Sequence, residues 1–325
     1  MSSNTSQPFL PSELILSVID WVIPRSGPQP IALPPSHPAT KTLLSLCRAS
    51  IITYPTARRL LYTHCLWISN SLRLYSLQDS ISGRLEAHLN APHRTRPEVP
   101  ILNHTTSLYL SHDDLLRLYP SHLLVDFFTL TAPYIRHLVI DMPLREYQED
   151  NRGMTDHARA TLRLAFSQLT ALETFCSVRD ELFLENSDRD FTAIRPPVWS
   201  FWPNLKTLAL YNEDVDKPNF WSELGKLKDL KTLVLTRADG LEYVDMKLEW
   251  RKHRGDEKRG LEIVLVNVAS LHKRPMGREA WKDDNITVRE VNVPISYYGD
   301  EDEIELCQEW VKRRMLRGEK PADWT

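Results

Sequence analysis

The sequence predicts an α/β chain in two parts, a small module of three helices and then strands alternating with helices in an irregular solenoid of repeats. Two patterns carry this. Apolar residues recur at helical spacing in three short segments before residue 65. The pattern L-x-x-L-x-L, or an apolar equivalent, returns six times between residues 105 and 266. Composition agrees, since 42% hydrophobic and 26% charged residues suffice to bury a substantial core.

Residues 1–9 carry neither a basic stretch nor an apolar run and are expected to be disordered. Behind Leu10-Pro11-Ser12-Glu13, the residues Leu14, Ile15, Val18, Ile19 and Val22 mark a first helix. Pro11 or Ser12 opens it, Glu13 suits the positive end of its dipole, and Leu10 can fold back on the first turn. Pro24, Pro28, Pro30, Pro34, Pro35 and Pro38 sustain neither a helix nor a strand ladder, so residues 24–38 read as an exposed insertion. Helical spacing resumes at Thr40 with Leu43, Leu44, Leu46 and Cys47, and after Pro55 with Ala57, Leu60, Leu61 and Tyr62. Leu66-Trp67-Ile68 reads as a brief strand and Leu72 to Leu85 as a helix. With Pro92, Pro97 and Pro100 behind them, residues 66–100 form a connecting helix and linker, and the domain boundary falls within 86–100.

The six repeat segments begin at Thr105, Ile135, Leu172, Leu205, Leu230 and Leu261, between 25 and 37 residues apart. Helical stretches lie between them at Leu115 to Leu130, Ala158 to Leu169 and Trp221 to Leu227. A strand and a helix at this period bury a continuous core by lying against their neighbours, as in leucine-rich solenoids. The asparagine such repeats place after the strand occurs only once, at Asn212. An ordinary α/β domain with a parallel sheet is the alternative, in which the pattern records only a helix end and a buried strand. Ile286 to Val293 alternates like a further strand, and a helix from about Glu301 to Leu316 closes residues 101–325 as a capping element, acidic at its start and basic at its end.

The N-terminal block, residues 10–65, resembles an F-box, the three-helix module by which substrate adaptors dock on the Skp-type linker of cullin-RING ubiquitin ligases. Leu10-Pro11-Ser12-Glu13-Leu14-Ile15 matches the family's L-P-x-E-[IL]-[IL] opening, and Leu43 to Arg48 its L-x-x-V-C-[RK] helix. Pro55 to Tyr62 looks like its closing helix. The layout is similar to that of filamentous-fungal F-box proteins, although the Trp that often follows C-[RK]-x is replaced by Ala49-Ser50-Ile51. The resemblance implies that Leu10, Pro11, Leu14, Ile15, Leu43, Leu44, Cys47 and Arg48 meet the linker, with Val18, Ile19 and Val22 facing inward. It implies an adaptor that is not itself an enzyme, holding an unknown protein substrate on the repeat domain. A solenoid scaffold whose N-terminal helices serve only as a cap is the alternative.

In a leucine-rich solenoid the x positions look out along a concave face, here Arg136, His137, Lys206, Thr207, Ala209, Lys231, Thr232 and Val234. Lys206 and Lys231, with Thr207 and Thr232, recur in register and form a weakly basic candidate substrate stripe. Other functions find little support. Ten glycines in 325 residues leave few places for a phosphate-cradling loop, and no G-x-G-x-x-G, G-x-x-x-x-G-K-[ST] or G-x-S-x-G occurs. A net charge of −3 offers no field for nucleic acid. Cys47, Cys65, Cys176 and Cys307 form no C-x-x-C pair, and His104, His112, His122 and His137 show no zinc-binding spacing, so neither disulfides, metal nor cofactor is expected. No run approaches the roughly 18 apolar residues of a membrane span. A cytoplasmic or nuclear protein is expected. The run Arg251 to Arg259, interrupted by Asp256 and Glu257, reads as a solvated loop.

Overall fold

Each of the six repeat segments becomes a strand. In the computed structural model, which describes residues 10–24, 28–90, 101–111, 118–145, 152–184, 196–255, 259–268, 285–295, 299 and 302–325, these strands join one eight-stranded parallel sheet in chain order. The strands are β1 (Trp67–Ile68), β2 (Ser107–Ser111), β3 (His137–Asp141), β4 (Thr174–Ser177), β5 (Thr207–Tyr211), β6 (Thr232–Thr236), β7 (Leu261–Val268) and β8 (Ile286–Val293). Leu108, Leu138, Phe175, Leu208, Leu233 and Ile263 are register partners in one row, and Tyr109, Val139, Cys176, Ala209, Val234 and Val264 in the next. Successive side chains of a strand point to opposite faces, so each row belongs to one face.

The leucine row faces a layer of helices. These are α4 (Ser71–Asn90), α5 (Leu118–Thr131), α6 (Arg152–Ser167), α7 (Phe220–Lys226) and α8 (Met246–His253). Leu74, Phe127, Phe128, Phe166, Leu224 and Trp250 from this layer share one buried cluster with the leucine row. The short helices reflect local capping. Asp245 accepts from the backbone of Lys247 and Leu248 to open α8, and Arg259 donates to the Leu227 and Gly225 carbonyls (2.8 and 2.6 Å) where α7 ends. The basic run that ends at Arg259 therefore contributes a structural cap at that position.

The second face departs from expectation. Ala209 and Val234, read as lining an open concave surface, are buried with the rest of their row. The helix α9 (Glu303–Leu316) does not cap the end of the series but lies across this face. Cys307, Val311 and Met315 join Val139, Cys176, Ala209, Val234 and Val264 in a second cluster, closed by Trp324. Lys312 reaches β3, pairing with Asp141 at 3.0 Å. The reason is chemical, because parallel strands with apolar residues on both sides need cover on both sides. As expected, α9 has acidic residues in its first turn and basic ones in its last, with Asp302 capping through Ile304 and Glu305.

The N-terminal module comprises α1 (Ser12–Asp20), α2 (Pro38–Ala49) and α3 (Tyr54–His64) around Ile19, Ile23, Ala39, Leu43, Ala57 and Leu60. One boundary moves. β1 belongs to the sheet and Leu74 of α4 to its core, so the segment read as a connector is part of the sheet domain. Residues 91–100, which hold the prolines of that boundary, lie outside the described residues, as do residues 1–9, 25–27 and the stretch from His112 to Arg117. The proline insertion is not wholly exposed, since Pro30, Ile31 and Ala32 are buried and two of them enter the second cluster. Ile31 N–H donates to Leu316 O (2.8 Å) and Leu33 N–H to His64 O (2.7 Å). Gly318 has φ +70, and a Cβ there would stand 2.0 Å from Gln29 O, so this close crossing requires glycine.

Trp324 is fully buried and its ring meets Trp310 edge-on at 5.3 Å. Trp324→Ala is expected to cost about 3–5 kcal/mol, read from the denaturant midpoint. A loss under about 1 kcal/mol would show that the tail does not close the second face.

Candidate functional site

Three surfaces of the described residues have the chemistry to meet another molecule. The first is one side of α1. Leu14 and Val18 lie one turn apart on α1, with Leu10 just before the helix and Trp21 just after it. All are exposed, Leu14 by 53%, Val18 by 62% and Trp21 by 67%. Ile15, Leu16, Ile19 and Val22 turn the other way into the module's own core. Of the residues expected to meet a partner, Leu10, Pro11, Leu14, Leu44 and Arg48 are exposed, while Ile15 and Cys47 are half-buried against that core. Leu43 is fully buried and is corrected to a core residue, because its helical phase matches Ala39. Val18 is corrected in the opposite sense, from core to surface. Leu10 does not fold back on the helix and remains 56% exposed. Ile51 and Ile52, in the turn between α2 and α3, add exposed apolar surface that motif reading passed over.

The second is a cleft of about 300 Å³ at the amino ends of the strands. Its floor is the polar register row Ser107, His137, Thr174 and Thr207, and its other wall is built from Gln29 to Ile31 with Gly318 to Pro321. Thr207 therefore lies in a cleft, and Thr232 continues the row. Lys206 and Lys231 are exposed at its edge. Lys206 is engaged within the fold, its Nζ 2.6 Å from Glu173, whose carboxyl this bond holds below the usual range. His64 sits 2.9 Å by Nδ1 from the Pro30 carbonyl. Burial pushes His64 and His137 below their ordinary value of 6.5, with the Pro30 carbonyl opposing the shift at His64 and Glu173 opposing it at His137.

The third lies at the carboxyl ends of β3, β4 and β5. Asp141 accepts from Tyr109 Oη (2.9 Å), Arg179 Nε (2.6 Å) and Lys312 Nζ (3.0 Å). Burial opposes its ionisation, but Lys312 and Arg179 outweigh that and hold the carboxyl low. Asp180 accepts from the backbone N–H groups of Leu144, Arg145, Leu182 and Phe183, tying two loops together. Burial and the neighbouring Glu181 push its carboxyl up to about 7. Beside it a cavity of about 230 Å³ opens between the loops after β4 and β5, lined among others by Glu181, Trp199, Glu213 and Lys217. No sequence motif announced this cavity.

Among the described residues no group of three or more His, Cys, Asp or Glu side chains could hold a metal ion. His112, Asp113 and Asp114 lie outside them. All four cysteines are free, and burial raises the thiols of Cys65, Cys176 and Cys307. No helix of the described residues is long and apolar enough to cross a membrane. Comparison of the chain with protein-family models, with curated proteins and with solved structures finds no match.

The lowered histidines set a pH dependence. Below about 6.5 the unfolded chain takes up protons that folded His137 refuses, so its contribution to stability falls as pH drops through that value. His137→Gln is therefore expected to lessen the stability lost between about pH 7.5 and about pH 5.5, measured by urea unfolding. An unchanged difference would show that His137 titrates freely in the fold.

Proposed function

We propose that this chain is a substrate-recognition adaptor of a Skp-cullin-F-box type ubiquitin ligase, docking the linker through its N-terminal helices and a protein substrate through the sheet domain. The observation that carries the reading is the exposed apolar set Leu10, Leu14, Val18 and Trp21 on and beside α1, whose opposite side closes a core of its own. Large apolar side chains exposed together, two on α1 and one just beyond each of its ends, form a patch that soluble surfaces keep for partners. An amphipathic helix of this kind suits a groove in another protein. Ubiquitin transfer then belongs to the partner subunits. The docking set becomes Leu10, Pro11, Leu14, Val18, Trp21, Leu44 and Arg48, with Ile15 and Cys47 supporting it from behind.

The parallel sheet, with every strand beside its chain neighbours, supports reading the rest as a divergent leucine-rich-repeat-like solenoid. In that reading α9 fills the concave side and leaves the strand ends for recognition. A second reading has an observation of its own. The helix α3 packs beside β2, Ile31 N–H bonds to Leu316 O at the end of α9, and Ile31 and Ala32 join the cluster on the second face of the sheet. The module thus abuts the first edge of the sheet, which favours a scaffold whose helices act as a cap.

Linker binding separates the two. The full chain is expected to co-purify with the Skp-type linker, and Leu14→Glu with Val18→Glu to abolish this while leaving thermal stability within a few degrees, since exposed positions carry little folding energy. If the folded wild type does not bind the linker, the adaptor reading fails and the cap reading stands.

A further inference from the structure

We propose that the cleft at the amino ends of the strands binds a small organic anion, its carboxylate or phosphate group on His137, Thr174 and Thr207 and facing Lys320, its body on the apolar wall. The cleft holds about 300 Å³ between the sheet, the proline insertion and the residues after α9. That is the lower end of the roughly 300–1,000 Å³ of small-molecule sites, which favour such junctions between parts of a fold.

The floor supplies donors that the fold does not use. Thr63, in the wall, gives its hydroxyl to the Arg59 carbonyl (3.0 Å). Thr174 and Thr207, in the floor, are partly exposed, and among the described residues their hydroxyls have no hydrogen-bond partner. His137 is partly exposed beside them, and its Nδ1 is shut in without an acceptor. A buried N–H left unpaired is costly, so the neutral ring carries its proton on Nε2. The three residues are register neighbours on β3, β4 and β5, which sets them about 4.8 Å apart. Two donors at that separation both reach one oxygen placed between them at about 2.8 Å.

Charge selects the sign of the ligand. Glu319, in the lining, lies between Arg314 (2.8 Å) and Arg317 (3.6 Å). Glu173, at the edge, lies between Lys206 (2.6 Å) and Arg136 (3.4 Å). Each carboxylate therefore has two cations. Asp20 and Arg59, in the adjoining hollow, match each other at 2.6 Å. Lys320 is exposed in the lining and makes no ion pair among the described residues. Surplus positive charge beside neutral donors suits an oxyanion and offers a cation nothing. Opposite the floor stand Pro30, Ile31, Met315 and Pro321. A bare inorganic ion would leave them uncovered, whereas an organic anion covers them with its body.

The site is independent of the adaptor reading and is tested on the full chain with no linker present, so its failure and that of linker docking are read separately. Saturation-transfer NMR and calorimetry compare butyrate, butyl phosphate, inorganic phosphate, butanol and butylammonium. The two organic anions are expected to bind about tenfold more tightly than butanol, as a charge-assisted bond requires, and more tightly than inorganic phosphate. Their order tells a carboxylate source from a phosphate one. Lys320→Gln should remove most of the preference for the anions over butanol. Thr174→Val with Thr207→Val should weaken both anions about tenfold, and thermal stability checks that these variants fold. Equal binding of butanol, or tighter binding of butylammonium, would overturn the charge selection, and equal binding of inorganic phosphate the organic body. Absence of binding, or folded variants that bind like the wild type, would overturn the site.

Discussion

The structure depends on one constraint, that a parallel sheet with apolar side chains on both faces must be covered on both. Helices between the strands cover the leucine face as a matter of connectivity, because each crossover between parallel strands carries its helix to one side. The opposite row, from Tyr109 through Val139, Cys176, Ala209 and Val234 to Val264, has no such supply and must recruit its cover from elsewhere. It takes α9 and Trp324 from the carboxyl end of the chain and Ile31 and Ala32 from the proline insertion. Asp141 fixes where α9 crosses, since a carboxylate only 6% exposed in its side chain is tolerable only while Lys312 and Arg179 accompany it.

That cover decides which polar positions of the sheet stay open to solvent. With the centre of the second face dry, the polar positions of the strands remain reachable only at their ends. At the amino ends the row from Ser107 to Thr207 floors a cleft; at the carboxyl ends the turns after β4 and β5 carry Asp180, Glu181 and Glu213. Backbone geometry supports the latter. Asn212, just past β5, and Arg237, just past β6, both take left-handed conformations with φ +54 and +50. This is ordinary for Asn and uncommon for Arg. Gly240 follows with φ +75, where a Cβ would stand 2.6 Å from the Asp214 carboxylate, so the turns after these two strands are held side by side by the Asp214–Asp239 bridge.

Much of this was legible in the sequence. The six repeat segments are strands because the alternation of apolar residues is a local property that sheet formation preserves, and the dipole-matched ends of α9 could be read for the same reason. Its position could not, since an amphipathic helix does not say which surface it covers. A signal was nevertheless present in the central x positions, where Val139, Cys176, Ala209, Val234 and Val264 are all apolar, unlike the solvent-facing rows of an open concave surface. The change of role at Leu43, from partner contact to core, is a matter of helical phase, fixed by Ala39 and Leu43 lying one turn apart on the core side. The cavity beside Glu181 draws on residues from 181 to 220 that only strand register brings together, so no spacing rule could have assembled it.

The proline insertion links the two parts. Between Pro28 and Pro35 only Gln29, Ile31, Ala32 and Leu33 have amide hydrogens, and two of these, Ile31 and Leu33, donate outside the segment to Leu316 and His64. Proline leaves few donors to satisfy, so a segment without helix or ladder can be buried at low polar cost. One side of it touches α3, which belongs to the module with the exposed apolar residues, and the other touches the end of α9, which covers the sheet. A change at the cleft between them, where His64 holds Pro30 and Gly318 meets Gln29, would therefore be felt by both the module and the sheet. The two parts that the sequence separates by its prolines are, in the fold, held together by them.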